Sequence, residues 1–239
     1  MNTYIAEAVA EMDKVPVSRL EHPGDLALDP ASCRFVAAFA RALGARRVLE
    51  FGSGFSTLML ARELAAQEDN YLLSIDDSRH YSELAREALD NSGCQAKVEF
   101  RVAPLKPKFY GPRLLLSHCL VPGLLEAMGP FDMVLIDTPH HNFGREAVFY
   151  DAFRAVAPGG YVVIADANLE AEKSLYVRNW MAAFDDAIDP VLLEGIGNGL
   201  SVIEKVSEAE PRYTAKGLLP VSVKTLYCYG RLLLRGENA

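Results

Sequence analysis

The chain has 239 residues, half of them hydrophobic, and 24 Lys and Arg against 32 Asp and Glu give a net charge of −8. That length supports one sizeable core with terminal additions, and the acidic balance argues against sequence-independent nucleic-acid binding, which is mostly phosphate neutralisation. No stretch approaches the roughly 18 apolar residues of a membrane span, and MNTYIAEAVAEMDK lacks a basic segment followed by an apolar run, so a cytoplasmic protein with neither nucleic-acid nor membrane partners is expected.

Residues 31–43, ASCRFVAAFARAL, place Phe35, Val36, Phe39, Ala40 and Leu43 at helical spacing, with Gly44 as a stop. RRVLEF then reads as a buried strand that breaks at Gly52 and Gly54, followed by the helix-forming STLMLARELAAQ with Ser56 or Thr57 as its N-cap. Glycines directly after a buried strand let the backbone turn sharply and approach a ligand closely. YLLSID at 71–76 reads as a second strand, YSELAREALDNSG as a helix ended by Gly93, and KVEFRV at 97–102 as a third strand. The following APLKPKFYGPRLLLSHCL gathers Lys106, Lys108, Tyr110 and Arg113, either as a mobile cover over a pocket for an anionic acceptor or as a solvated basic loop.

FDMVLID at 131–137 and GGYVVIAD at 159–166 are continuous apolar runs closed by an aspartate, which suits a parallel sheet covered on both faces. REAVFYDAFRAVAPGG reads as the crossover helix between them, and DPVLLEGIGNGLSVIEKV as a closing hairpin. Trp180 reads as core packing with Leu175 and Tyr176, or as a pocket wall. The last 30 residues carry apolar side chains without clean periodicity. The four cysteines form no CxxC pair and are expected as free, mostly buried thiols.

Alternating strands and helices predict a doubly wound α/β sheet whose ligands sit at the carboxyl ends of the strands, near the point where strand order reverses. Glu50, Asp76, Asp137 and Asp166 all stand at such ends. Each alone also reads as a cap or turn residue; together they mark one working edge. The expected organisation is a helical segment over 1–44, a core over 45–206 and an extension over 207–239.

The pattern acidic-x-Gly-x-Gly-x-Ser after the first strand, an acidic residue ending the second, Asp ending the fourth and a final antiparallel hairpin resembles class I S-adenosylmethionine-dependent methyltransferases, over roughly residues 30–206. The resemblance implies a mostly parallel seven-stranded sheet and S-adenosylmethionine as cofactor. It puts Glu50, Gly52, Ser53, Gly54 and Ser56 in the turn under the methionine part, Asp76 on the ribose hydroxyls and Asp137 also at the cofactor, with Asp77 at the ribose corner as a solvent-facing or helix-capping residue. A carboxylate is an acceptor pair suited to two vicinal hydroxyls. Val102 and Ala103 stand where relatives often keep an acidic residue for adenine, so backbone and apolar packing are expected to hold the base.

TPHHNFGREAVFYDAF and IADANLEAEKSLYVRNW look most like small-molecule O-methyltransferases, a branch of which holds a divalent cation with an Asp after strand four and an Asp-Asn pair after strand five. Asp137 and Asp166 match, but Ala167 follows and the amide comes one later at Asn168. A magnesium-type site of Asp137, Asp166 and Asn168 and an aspartate acting without metal both stay open. For the proton of a hydroxyl acceptor the candidates are Asp137, His140 and His141. A nicotinamide-dependent oxidoreductase is the competing enzyme class, disfavoured by Thr57 in place of the third fingerprint glycine; a non-catalytic module with the same fold is the other alternative. The terminal segments are open to closing the pocket or pairing in a homo-oligomer.

Overall fold

The computed structural model describes residues 2–17, 28–139, 144–168, 177–215 and 217–235. Helices α1 (Thr3–Glu11) and α2 (Pro30–Leu43) precede the first strand. Asp29 caps α2 by accepting from the amides of Ala31 and Ser32, and Gly44 ends it in the left-handed region at φ 63°. Two strand–helix–strand steps follow through β1 (Arg47–Phe51), α3 (Phe55–Leu64), β2 (Tyr71–Asp76), α4 (Arg79–Ser92) and β3 (Val98–Val102). Next come β4 (Leu105–Tyr110), β5 (Arg113–His118), α5 (Leu124–Met128), β6 (Phe131–Ile136), α6 (Gly144–Ala155) and β7 (Val156–Ile164). The chain closes with α7 (Val177–Phe184), β8 (Ile188–Leu193), β9 (Leu200–Lys205) and α8 (Leu218–Arg235).

The seven-stranded sheet runs β3-β2-β1-β6-β7-β9-β8, parallel except for β9, which pairs antiparallel with both neighbours. Strands are added outward from β1 to β3, and β6 then returns to the other edge of β1. Strand order therefore reverses between β1 and β6, where a ligand crevice opens in sheets of this kind. Alternate strand residues serve opposite layers: Leu49, Phe51, Val134 and Ile136 pack with α6 and α7, whereas Val48, Met133 and Leu135 pack with α2 and α3. Trp180 is buried in the first layer and stacks on Phe149 at 4.4 Å, in line with a core role.

Several expectations are corrected. Ser56 and Thr57 do not cap α3; they lie inside its first turn, their hydroxyls drawn to Glu50, and Gly54 is the cap. Ser78, not Asp77, caps α4, because its extended backbone lets the hydroxyl accept from Tyr81. The stretch read as a basic cover is the β4–β5 hairpin, turning at Gly111 (φ 56°). Arg113 is fully buried against Glu146 at 2.7 Å, and Lys108 pairs with Asp151 at 2.7 Å. These two positive charges have their ion-pair partners on α6. Of the cysteines only Cys33 is buried.

The C-terminal tail forms an 18-residue helix, anchored by buried Val221 and by the Thr225 hydroxyl donating to the Leu114 carbonyl. Leu219, Val223, Leu226, Tyr227 and Leu234 stay exposed, which blurs the one-sided period a sequence reading looks for. No helix among the described residues is long and apolar enough to cross a membrane.

Candidate active site

The two glycines after β1 serve different needs. Gly52 has φ 113°, and its amide donates to the Ile75 carbonyl, pinning the turn to β2. A Cβ there would lie 3.0 Å from Thr138 Cγ2 and 3.3 Å from Asp137 Cβ, so both conformation and the close approach of the β6 end require glycine. Gly54 has an extended φ of 177°, and nothing lies within 4 Å of a Cβ built there. The fold does not require glycine at 54; the space beside it, at the N-terminus of α3, is open.

Beneath the turn, Glu50 is fully buried and both of its oxygens are engaged: Oε1 accepts from Ser56 at 2.5 Å, and Oε2 from Thr57 at 2.5 Å and Ser74 at 2.8 Å. Burial pushes its carboxyl up to about 7, against the pull of these three hydroxyls. The Thr57 hydroxyl also accepts from the Gly54 amide at 2.9 Å, so one side chain joins cap, turn and strand. Glu50 thus braces the turn from within the fold.

Asp76 ends β2 behind the turn. Its Oδ2 accepts from the Ser53 amide at 2.7 Å and its Oδ1 from the Ser78 amide at 2.6 Å, while the Ser53 hydroxyl meets that of Ser74 at 2.8 Å. Each carboxylate oxygen keeps a second lone pair for a ligand hydroxyl. Burial raises the Asp76 carboxyl to about 7, with a further push from Asp77. Ala103 shares this corner, its amide donating to the Asp76 carbonyl at 2.7 Å. His118, at the end of β5, lies 5.2 Å from the Phe51 ring and 3.9 Å from Asp77 Oδ1. Nothing local in the sequence singles out His118, because only the fold of the hairpin brings it here.

At the ends of β6 and β7 the structure reveals a residue the sequence reading missed. Arg145, in the first turn of α6, is buried and extends its guanidinium between Asp137 and Asp166. Its NH2 lies 2.8 Å from Asp166 Oδ2, 2.8 Å from the Asp137 carbonyl and 3.5 Å from Asp137 Oδ1, and its NH1 lies 2.5 Å from the Ala165 carbonyl. Burial raises the Asp137 carboxyl to about 6, with Arg145 opposing. Asp166, left-handed at φ 54°, also accepts from the Asn198 side chain at 3.1 Å.

Two of the three residues expected to hold a metal, Asp137 and Asp166, have the Arg145 guanidinium between them. The side-chain amide nitrogen of Asn168 donates to the Glu194 carbonyl at 3.0 Å, and its Oδ1 is buried beside Gly199 without a hydrogen-bond partner. The Asp166 oxygens are held by Arg145 and Asn198, and the guanidinium stands where the strand-end oxygens converge. Among the described residues no group of three or more His, Cys, Asp or Glu is arranged to hold a metal ion. His140 and His141 lie outside the described residues.

Residues 49–167, from the first strand to three residues past β7, match the family model described as a methyltransferase domain. A catechol O-methyltransferase of Mycobacterium tuberculosis is 30% identical over 162 residues, 67% of this chain and 63% of that protein. The chain therefore aligns with less than two thirds of that relative's length. A caffeoyl-CoA O-methyltransferase of Petroselinum crispum is 27% identical over 138 residues, 57% of this chain and 52% of that protein. Among solved structures, the O-methyltransferase TomG of Streptomyces achromogenes, in complex with S-adenosylmethionine, superposes with a TM-score of 0.58 at 22% identity, covering 87% of this chain and 91% of that one, a likeness of fold.

Proposed function

The chain belongs to the class I S-adenosylmethionine-dependent methyltransferases, and from that membership we propose that it methylates a small-molecule acceptor at a hydroxyl oxygen. The cofactor supplies, when bound, a sulfonium methyl group open to in-line displacement. The observation that carries the reading is Gly54, a glycine the fold does not need, beside open space at the strand-order switch point with Asp76 behind it. Close approach of a ligand to the turn is the remaining reason for glycine there. The relatives named for catechol and caffeoyl-CoA support oxygen as the methylated atom.

In this reading Gly52, Ser53 and Gly54 pass under the methionine part, and Asp76 accepts from the ribose hydroxyls with Asp77 alongside. The backbone at Ala103 and its apolar neighbours face the adenine, while Glu50 and Ser56 brace the turn. Asp137 stands at the end of β6, next to Gly52, and takes the acceptor's proton as the oxygen–carbon bond forms and the carbon–sulfur bond breaks. His140 and His141 are the other candidates for that proton. Asp76→Ala tests the cofactor assignment: calorimetric titration should show S-adenosylmethionine affinity at least about tenfold weaker, a loss of ~1.4 kcal/mol. Equal affinity in a folded variant removes the ribose role.

A further inference from the structure

The strand-end carboxylates and the guanidinium between them carry a second conclusion, independent of which acceptor is methylated. Asp137 and Asp166 end adjacent parallel strands, an arrangement that converges oxygens on one point. That point is taken. The Arg145 side chain, 2% exposed, contacts Asp166 Oδ2, the Asp137 carbonyl and the Ala165 carbonyl within 2.8 Å, with Asp137 Oδ1 at 3.5 Å. A guanidinium stays charged at any working pH and presents a planar set of donors, which matches several oxygens offered by two adjacent strand ends.

Both strand ends are fixed around this cation by further bonds. The Ala167 amide donates to the Gly199 carbonyl and the Asn168 amide to the Asn198 carbonyl, each at 2.9 Å, so the β8–β9 turn clamps the chain just after Asp166. Asn198 reaches the second Asp166 oxygen with its side chain and also donates its backbone amide to Asp29, the α2 cap, at 3.3 Å. A divalent ion entering here would face a buried positive charge and would have to expel it. Removing one partner of such a pair leaves the other charge uncompensated.

We propose that Arg145 is the resident cation of this site: it stands in the place between Asp137 and Asp166 that a divalent metal would take, and methyl transfer in this chain proceeds without one. The proposal concerns the mechanism of the methyltransferase reading, but its test does not depend on that reading. Mn2+ is titrated into the native protein and followed by electron paramagnetic resonance up to about 1 mM, the weak end of protein divalent sites. The native chain should hold no stoichiometric Mn2+. Arg145→Met, which keeps length and removes charge, should gain one Mn2+ per chain at the freed carboxylates, and adding Asp166→Asn should abolish it. One Mn2+ per native chain, lost on Asp166→Asn, overturns the proposal, as does a folded Arg145→Met variant that binds none. If Arg145→Met does not fold, the native titration decides alone. Calorimetry with S-adenosylmethionine in the same buffer reports separately on the methyltransferase reading.

Discussion

Substituting alanine separately at Gly52 and Gly54 distinguishes what the fold needs from what a ligand needs. At position 52 a side chain must adopt φ 113°, a strain of about 1–3 kcal/mol, and push Thr138 Cγ2 from 3.0 Å, about 1 kcal/mol more. For a chain of this size each kcal/mol lowers Tm by about 2–4 °C, so Gly52→Ala should melt roughly 5–15 °C below the native protein. At position 54 the backbone is extended and a Cβ meets nothing within 4 Å. The gain of about 0.4–1 kcal/mol from a stiffer unfolded chain is offset by a similar loss at the helix cap, leaving Tm within about 2 °C. The same methyl would project into the space assigned to the cofactor, so affinity for S-adenosylmethionine should fall at least about tenfold. Differential scanning calorimetry and isothermal titration of the two variants read both quantities. Native-like affinity in Gly54→Ala, or a melting loss there equal to that of Gly52→Ala, would refute the division of labour.

Glu50 sets a pH dependence. Its folded carboxyl is raised from 4.5 to about 7, so the folded state holds an extra proton between those values. The associated stability is whole below about pH 4.5, is lost as pH rises to about 7 and amounts to about 3 kcal/mol. Glu50→Gln does not titrate, so urea unfolding should show it gaining on the native protein by up to that amount between about pH 5 and pH 8. A difference constant with pH contradicts the burial argument. Arg113→Ala leaves the buried Glu146 without its cation beneath the hairpin and should cost about 3–5 kcal/mol by the same unfolding measurement; a loss below about 1 kcal/mol would mean the pair is not the anchor of β5.

Much of the architecture was legible because buried parallel strands announce themselves as apolar runs. YLLSID is β2 residue for residue, and the glycine turn, the rim carboxylates and the closing hairpin fall where their patterns place them. The β4–β5 hairpin was hidden because its lysines read as a solvated loop, while the partners that neutralise Lys108 and Arg113 lie more than 30 residues away on α6. Arg145 opens what reads as an ordinary helix; only folding turns it between two strand ends. The motif at 166–168 suggested a metal by residue type; in the fold the Asn168 side chain donates to the Glu194 carbonyl and Arg145 stands between the two aspartates. For α8 the obstacle was physical as well, since a helix with exposed apolar residues on several sides has no clean stripe.

The most direct measurement is isothermal titration of the native protein with S-adenosylmethionine, S-adenosylhomocysteine and NAD in turn. Binding of both sulfur compounds at micromolar level, about −8 kcal/mol, with no heat from NAD, is the expected result. Binding of NAD with silence from both sulfur compounds would contradict the assignment of the Gly52–Gly54 turn and Asp76 to S-adenosylmethionine.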